Sequence, residues 1–338
     1  MAILDLILEL KQDCKYEQAL KELEGAEMNA DLYMQKGLIL YELSRYDEAI
    51  QAYSEVIKSD ESNSRAYNNR GNAKGNLKRY EEAVEDYNKA IELKPDYAEA
   101  YFNRGFVYYN MKKYKESISD YNKSIELDPE NFMAYNNRGN AKHYLKDYQE
   151  AISDFDKSIE IQSSHNTFFN RGLARENISD FEGAIKDYSM ALELKPDDIQ
   201  VMIKKGYAEY QNNDLDSAKK DFEHVLFLDK DNVEAFVSLG MVYHASGENE
   251  KAIQHYDKAV SINENYPDAY INRSIAASCL KNYKLAESDL RKMLEFDIFR
   301  NDYLSTFNQI KEIVSKFEDE DSKTFLKTLD ELLKLVKK

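Results

Sequence analysis

The sequence predicts an all-α protein built as a solenoid from one repeated pair of helices. The first observation behind this prediction is a fixed glycine period, and the second is helical spacing of apolar residues inside each period. Seven of the eleven glycines follow one another at steps of 33 or 34 residues: Gly37, Gly71, Gly105, Gly139, Gly172, Gly206 and Gly240. A period near 34 indicates one supersecondary unit stacked many times, so we expect an extended array and not a globular enzyme.

Each period contains two helical patterns. In the first, an aromatic residue or Met precedes the glycine by four positions, as Tyr67 precedes Gly71. In the second, a small residue is followed four positions later by a large apolar one, as Ala83 is followed by Tyr87. These spacings place the residues on one face of each helix. We expect the glycine of the first helix to face the alanine of the second, so that the two backbones approach closely.

The units resemble tetratricopeptide repeats. Residues 67–95, YNNRGNAKGNLKRYEEAVEDYNKAIELKP, match that family's pattern of aromatic, glycine, alanine, aromatic, alanine and proline almost position for position. The resemblance covers residues 30–298 as eight units, and residues 1–29 are similar to a degenerate, capping unit. It implies antiparallel helix pairs stacked into a right-handed superhelix with a concave groove. Ser274 departs from the pattern at the last glycine position, and one residue is missing near 162–165.

Residues 299–338 leave the repeat pattern but keep two apolar stripes at helical spacing. Repeat arrays need polar caps at their ends, so we expect two capping helices here. The alternative is a helix offered to a second copy of the chain. We favour a monomer, with oligomerisation through residues 299–338 as the alternative.

Charged residues recur in phase with the glycines. An Arg stands directly before the glycine position in five repeats, and an Asp stands sixteen residues after each Arg. The five pairs are Arg70 and Asp86, Arg104 and Asp120, Arg138 and Asp154, Arg171 and Asp187, and Arg273 and Asp289. The seventh unit lacks both residues, having Leu239 and His255 instead. We therefore predict partly buried Arg–Asp salt bridges between helices, within a unit or to its neighbour, with a structural role.

By the resemblance, the first helices line the concave groove and hold the ligand. Their sixth position carries Asn69, Asn103, Asn137 and Asn170 in four consecutive repeats. An amide side chain both donates and accepts, so this ladder could grip the backbone of an extended peptide. The alternative is capping or hydrogen bonding between neighbouring helices. The other predicted groove residues are Asn68, Asn72, Phe102, Phe106, Tyr109, Asn136, Asn140, His143, Tyr144 and Phe169. The aromatic members would form apolar pockets on a polar wall.

Charge and composition exclude several classes of function. The net charge of −17 disfavours binding to nucleic acid and to anionic membranes. The acidity serves solubility, or it complements a basic partner. Two widely separated cysteines and no recognisable signal peptide lead us to expect a reducing, cytoplasmic location. The five His residues are dispersed, so we expect no metal site, no cofactor and no catalytic residues.

These observations predict a protein–protein interaction adaptor that binds an extended peptide or partner segment in its groove. Two other hypotheses remain open from the sequence. The chain could be a regulatory or inhibitory subunit that holds an enzyme through an outer face or its C-terminal helices. It could also be a self-assembling structural protein.

Overall fold

The computed structural model describes residues 3–296 and 300–336, and all regular secondary structure in these ranges is helical. The predicted all-α class is therefore confirmed. The helices are α1 (Ile3–Gln12), α2 (Tyr16–Glu24), α3 (Ala30–Glu42), α4 (Tyr46–Ser59), α5 (Ser64–Asn76), α6 (Tyr80–Leu93), α7 (Ala98–Asn110), α8 (Tyr114–Leu127), α9 (Phe132–Tyr144), α10 (Tyr148–Ile161), α11 (His165–Asn177), α12 (Phe181–Leu194), α13 (Ile199–Gln211), α14 (Leu215–Leu228), α15 (Val233–Ala245), α16 (Asn249–Ile262), α17 (Pro267–Cys279), α18 (Tyr283–Met293), α19 (Arg300–Val314) and α20 (Glu320–Val336).

The chain divides into two compact units, residues 1–174 and 175–338. In the first unit, α3 packs on α4, α5 on α6, α7 on α8 and α9 on α10, and each pair packs on the next. In the second unit, α13 packs on α14, α15 on α16 and α17 on α18, again in sequence. Connections this short leave consecutive helices antiparallel. We number the repeats from one to eight, beginning with α3–α4 and ending with α17–α18.

The repeat glycines make room for an aromatic ring. A Cβ atom built on Gly71 would lie 2.8 Å from the Tyr87 ring, and one on Gly139 would lie 2.7 Å from the Phe155 ring. These distances are shorter than any van der Waals contact, and the two rings are buried. From the sequence we expected the glycine to face the alanine of the second helix. In the structure the atoms nearest to the space left by the glycine belong to the aromatic ring four residues after that alanine.

The turn between the two helices of a repeat has the same conformation throughout the described chain. One residue in each turn adopts the left-handed conformation, as Lys78 does at φ 59° and Lys112 at φ 59°. The next amide closes a hydrogen bond to the end of the first helix, for example from the Arg79 N–H to the Lys74 carbonyl at 3.0 Å. This is the Schellman motif, a common cap at the C-terminus of a helix. It sets the angle between the first helix and the second.

A helix pair packs against each end of the repeat array. Ile7 of α1 and Leu20 of α2 are buried in one cluster with Leu32 of α3. At the other end, Phe307 of α19 and Phe325 of α20 are buried with residues of the eighth repeat. Both C-terminal apolar stripes are thus covered within the chain, which is what a cap requires. The predicted domain boundary between residues 298 and 299 lies outside the described residues.

Candidate functional site

The predicted Arg and Asp residues lie face to face within the second, third, fourth and eighth repeats. The Arg104 guanidinium approaches the Asp120 carboxylate to 2.6 Å with one terminal nitrogen and to 2.8 Å with Nε. The corresponding separations are 2.7 Å for Arg70 and Asp86, 2.5 Å for Arg138 and Asp154, and 2.7 Å for Arg273 and Asp289. Each pair joins the first helix of a repeat to its second helix in a planar, two-bond geometry.

In two of these pairs, burial has the largest effect on the pKa of the acid. Asp120 is 5% exposed and Asp289 is 2% exposed. Burial raises the pKa of both carboxyl groups, although each accepts hydrogen bonds from an Arg. The desolvation of the carboxylate therefore outweighs its attraction to the guanidinium. Such pairs fix the register of helices more than they stabilise them.

The remaining terminal nitrogen of each Arg reaches back to the preceding repeat. Arg104 donates to Asn88 at 2.6 Å, and Arg138 donates to Asn122 at 2.7 Å, each partner lying sixteen residues earlier. Arg273 bonds Asp257 at 2.5 Å in the same way. Each Arg therefore connects three helices from two repeats. It contacts its own repeat and the neighbouring repeat at once, whereas the sequence left these two contacts open as alternatives.

In the fifth repeat, Arg171 and Asp187 each contact a charged residue outside the predicted pairing. Arg171 lies 2.6 Å from Asp156, which is fifteen residues earlier because one residue is missing in the preceding turn. In the second unit, Asp187 accepts a hydrogen bond from Arg175 at 2.9 Å.

The second and fourth repeats contain a second basic residue beside the Arg–Asp pair. Lys74 and Lys142 each lie 2.7 Å from the Asp of the pair.

The sixth repeat inverts this arrangement. Lys205 stands in the Arg position and contacts two carboxylates, Glu209 at 2.6 Å and Asp221 at 2.7 Å. Glu209 is 3% exposed. Burial, together with the nearby negative charge of Asp221, raises the pKa of Glu209 to about 7 despite the Lys205 hydrogen bond. One cation here serves two acids, whereas two cations serve one acid in the fourth repeat.

Three residues of the predicted asparagine ladder bond to asparagines that lie outside the ladder, at the position just before it in the repeat. Asn103 donates to Asn68 at 3.1 Å, and Asn170 donates to Asn136 at 3.4 Å. Asn136 in turn donates to the Asn137 side chain at 3.2 Å. The first two of these bonds join the first helices of neighbouring repeats, and the third lies within α9. The contacts therefore favour hydrogen bonding between helices for these side chains, the second of the two interpretations that the sequence left open.

The prediction that Asn68 lines the groove is wrong. Asn68 has no exposed surface. Its amide donates to Glu99 at 3.1 Å and accepts from Asn103, so it is enclosed between α5 and α7. It cannot contact a ligand, and its role is to hold two first helices together.

A cavity of about 430 Å³ opens in the first unit on the side of the first helices. Five of the predicted groove residues line it: Asn72, Phe102, Asn103, Phe106 and Asn137. The remaining lining residues are Tyr41, Gly75, Asn76, Tyr80, Tyr87, Val107, Asn110 and Met133. The thirteen lining residues are all uncharged, in a chain of which 32% is charged. This volume falls within the range of ligand sites.

A smaller cavity of about 120 Å³ continues from the first one. Phe106 and Asn137 border both cavities, and Tyr109 and Asn140 complete the smaller one. Phe106 is 48% exposed. Its ring therefore borders both cavities and is accessible to solvent.

Aromatic rings border this region towards the turn of the fourth repeat. Tyr144 stacks on Tyr114 with ring centres 5.0 Å apart and meets Tyr109 edge to face at 5.7 Å. His143 packs against Tyr148 at 5.2 Å, and burial lowers its pKa. Phe169 is partly buried on α11, and Asn69 donates to the sulfur of Met34 at 3.7 Å.

Several lining residues were within reach of the sequence pattern. Tyr41, Gly75, Asn76 and Asn110 occupy the twelfth or thirteenth position of their repeats, the same positions as the predicted groove residues Tyr109, His143 and Tyr144. Position alone would have found them. The second-helix residues in the lining could not be found in that way, since no periodic rule directs them to the groove.

The described residues also bear on membrane insertion and on metal binding. Among the helices described, none has the length and apolar character needed to cross a bilayer. Within residues 3–296 and 300–336, no three His, Cys, Asp or Glu side chains are grouped in a way that could hold a metal ion.

Family models match much of the chain. A model described as "TPR repeat" matches residues 37–78, 76–112 and 240–276. Models described as "Tetratricopeptide repeat" match residues 98–131, 132–165 and 199–232. Together these matches cover more than half of the sequence. No curated protein matches the chain significantly.

Solved structures with the same architecture include three useful neighbours. YrrB, described as a TPR protein with an unusual peptide-binding site, is 26% identical with a TM-score of 0.51, over 55% of this chain and 96% of YrrB. A tetratricopeptide repeat protein from Parabacteroides merdae is 18% identical with a TM-score of 0.52, over 73% of this chain and 98% of its own. The C-terminal part of a TPR protein from Cytophaga hutchinsonii is 17% identical with a TM-score of 0.59, over 71% and 98%. The last two support the fold alone.

Proposed function

Because the chain belongs to the tetratricopeptide repeat family, we propose that it is an interaction scaffold that binds an extended segment of a partner protein in the groove of its first unit. The single observation that carries this proposal is the uncharged cavity of about 430 Å³. Its wall alternates aromatic rings with side-chain amides. The rings would take apolar side chains, and the amides would meet the peptide backbone.

The character of the wall also predicts the chemistry of the bound segment. A charged side chain would lose its hydration in this cavity without gaining an opposite charge, since no ionised group lines it. An uncharged segment with an aromatic or aliphatic anchor loses little and buries apolar surface. The likeness to YrrB supports the same proposal, because that protein is described as having a peptide-binding site.

The Asn residues contribute unequally to the proposed groove. Asn68 is enclosed, so we omit it from the binding surface. Asn103 is committed in part to Asn68, whereas Asn137 borders both cavities. We therefore assign Phe106 the anchoring role and Asn137 the main amide contact, with Asn72, Phe102, Asn140 and Tyr109 as flanking contacts.

Selection of peptides from a random displayed library on the full chain tests this proposal. We expect selected peptides to share an uncharged core with one aromatic or aliphatic anchor. Binding measured by fluorescence anisotropy should weaken about tenfold or more in Phe106→Ala, because the variant removes an anchor at the centre of the site.

Ile178→Ala is the matched control, since it removes a similarly exposed large apolar side chain from a turn outside both the groove and any other proposed surface. Its affinity for the selected peptides should equal that of the unmodified chain. Equal binding to Phe106→Ala, or selection of peptides with charged anchors, would refute the groove proposal.

A further inference from the structure

We propose that the chain has a second interaction surface, on α12 and α14 of the fifth and sixth repeats, which binds an amphipathic helix that carries basic residues beside its apolar face. The surface consists of Met190, Leu194, Phe227 and Leu228, and we call it the α12–α14 patch. It lies wholly within the second unit. The inference does not depend on the groove of the first unit.

The reason to single out this patch is a comparison among the repeats of this one chain. Near the end of the second helix, five repeats carry a Lys and a Glu three residues apart, and the structure pairs them on the surface. Typical separations are 2.8 Å for Lys89 and Glu92, and 2.6 Å for Lys123 and Glu126. Exposed pairs of this kind add little stability but keep the surface hydrated.

The fifth and sixth repeats each replace one of these two charged residues with a large apolar side chain. Met190 stands where Lys157 stands one repeat earlier, and Phe227 stands where Glu160 stands two repeats earlier. The two substitutions fall in consecutive repeats. Charged side chains at these exposed positions would favour solubility. Large apolar side chains there therefore indicate an interaction surface.

The substituted side chains are exposed. Phe227 is 77% exposed, Leu194 is 54% exposed and Met190 is 40% exposed. Among the residues that the structure describes, ten large hydrophobic side chains are exposed, and four of the ten belong to this patch. In the first unit, Leu93 and Leu127, which precede Leu194 in the equivalent position, are only partly exposed.

The two parts of the patch lie on helices that pack against one buried cluster. Leu192 of α12 and Leu226 of α14 both pack against the same buried cluster, which contains Met202 and Val225. The last turns of α12 and α14 therefore pack against the same part of the core. Met190 and Leu194 are four residues apart on α12, so they share one face of that helix.

The size of the patch favours a short partner helix over a second copy of the chain. Four side chains offer on the order of a few hundred Å² of apolar surface. A stable interface takes about 800 Å² from each partner, more than this patch supplies. A second copy would also bring another net charge of −17 to the same surface.

Charge complementarity favours basic residues on the partner. Residues 193–198, which follow Met190, contain three acids and one Lys, and residues 229–231 contain two acids and one Lys. Lys195 is also neutralised by Asp198 at 2.7 Å. Both segments adjoin helix C-termini, where backbone carbonyls add negative potential. Lys or Arg beside an apolar helix face would meet this potential.

A designed peptide of about 18 residues, long enough to form a helix, is the probe. It places Leu on one face and Lys on the other. Two comparison peptides keep the Leu face with Glu in place of Lys, or keep the Leu and Lys composition in scrambled order. We expect the full chain to bind the first peptide about tenfold or more tightly than either comparison peptide, measured by anisotropy at physiological salt.

The decisive variant is Met190→Lys with Phe227→Glu, which restores the charges found in the other repeats and leaves the net charge unchanged. Binding of the Leu/Lys peptide should weaken about tenfold or more, since the apolar contact is lost while the overall attraction is not. Met190→Gln with Phe227→Gln is the second variant, and it should give the same loss. Circular dichroism and thermal unfolding should match the unmodified chain for both, because the side chains are exposed.

Unchanged binding of the Leu/Lys peptide by these variants would overturn the proposal. So would equal binding of the scrambled peptide, which would reduce the interaction to bulk charge. Sedimentation of the full chain supplies the remaining outcome: a dimer that dissociates in the double variant would assign the patch to a second copy and not to a basic helix. Phe106→Ala should leave Leu/Lys binding intact, which separates this surface from the groove.

Discussion

The second to fourth repeats and the sixth repeat share their packing but differ in their charges. A Cβ on Gly71 would lie 2.8 Å from the Tyr87 ring, and one on Gly206 would lie 2.7 Å from the Phe222 ring. Yet the Arg of the earlier repeats becomes Lys205 in the sixth. The backbone fit between two helices therefore constrains a few positions tightly, while the charged centre and the exposed face vary without disturbing it.

The largest expected difference between these regions concerns the central acid. Asp154→Ala should cost about 3–5 kcal/mol, because it leaves two cations, Arg138 and Lys142, without their buried partner. Asp221→Ala should cost about 1 kcal/mol or less, since Lys205 keeps Glu209 and the Asp221 side chain is 23% exposed. Urea unfolding followed by circular dichroism measures both.

A triple variant sharpens this test. Replacing Arg138, Lys142 and Asp154 together with apolar residues should recover most of the stability that Asp154→Ala loses. A double replacement of Arg138 and Asp154 alone should recover less, because Lys142 stays unpaired. Equal costs for Asp154→Ala and Asp221→Ala would contradict the contrast between the repeats.

The shared packing predicts equal responses to added volume. Gly139→Ala and Gly206→Ala should each destabilise the chain by about 2 kcal/mol, because the new methyl group overlaps a buried ring. Phe155→Leu should partly rescue Gly139→Ala by giving way to the methyl group. Thermal unfolding measures these effects.

Gly25→Ala provides the control for this pair, since no neighbouring atom lies within 4 Å of the added carbon. We expect it to be neutral or slightly stabilising. A large difference between Gly139→Ala and Gly206→Ala would indicate that the two repeats do not share one packing arrangement.

The smallest expected effect is a pH dependence that belongs to the sixth repeat. Burial raises the pKa of Glu209 to about 7 from an ordinary value of 4.5, so the folded state holds a proton that the unfolded state has released. Stability should therefore fall as the pH rises from about 4.5 to 7, by roughly 1–3 kcal/mol.

Glu209→Gln should remove this slope, and the variant should be more stable than the unmodified chain at pH 8. The two proteins should be about equally stable near pH 4, where Glu209 is protonated in both folded and unfolded chains to a large extent. Urea midpoints measured across this range test the sign, and a slope that survives in Glu209→Gln would assign it to another group.

The architecture could be derived from the sequence because its determinants repeat. A glycine such as Gly139 recurs at a fixed interval, and an Arg such as Arg138 is absent where its Asp is absent. Comparison within one chain then replaces comparison among homologues. The fold class and the members of most charge pairs follow from this internal regularity.

The remaining features depend on how one repeat is rotated against the next, which no spacing specifies. Asn68 occupies a groove position by sequence but is enclosed against Glu99 of the next repeat. Tyr87 fills the space of Gly71 and also borders the cavity, because its ring is long enough to reach past the glycine. The backward bond from Arg104 to Asn88 likewise depends on the spacing of stacked helices.

The backward bonds of the Arg residues also bear on how the array unfolds. Neighbouring repeats that share such a bond should open together, as coupled elements of a linear chain do. In the part of the second unit that the structure describes, Lys205 bonds only acids of its own repeat, and Leu239 has no polar group to offer. We therefore expect cooperativity to be weakest between the fifth and sixth repeats and between the sixth and seventh, and a partner bound to the α12–α14 patch would strengthen the first of these two couplings.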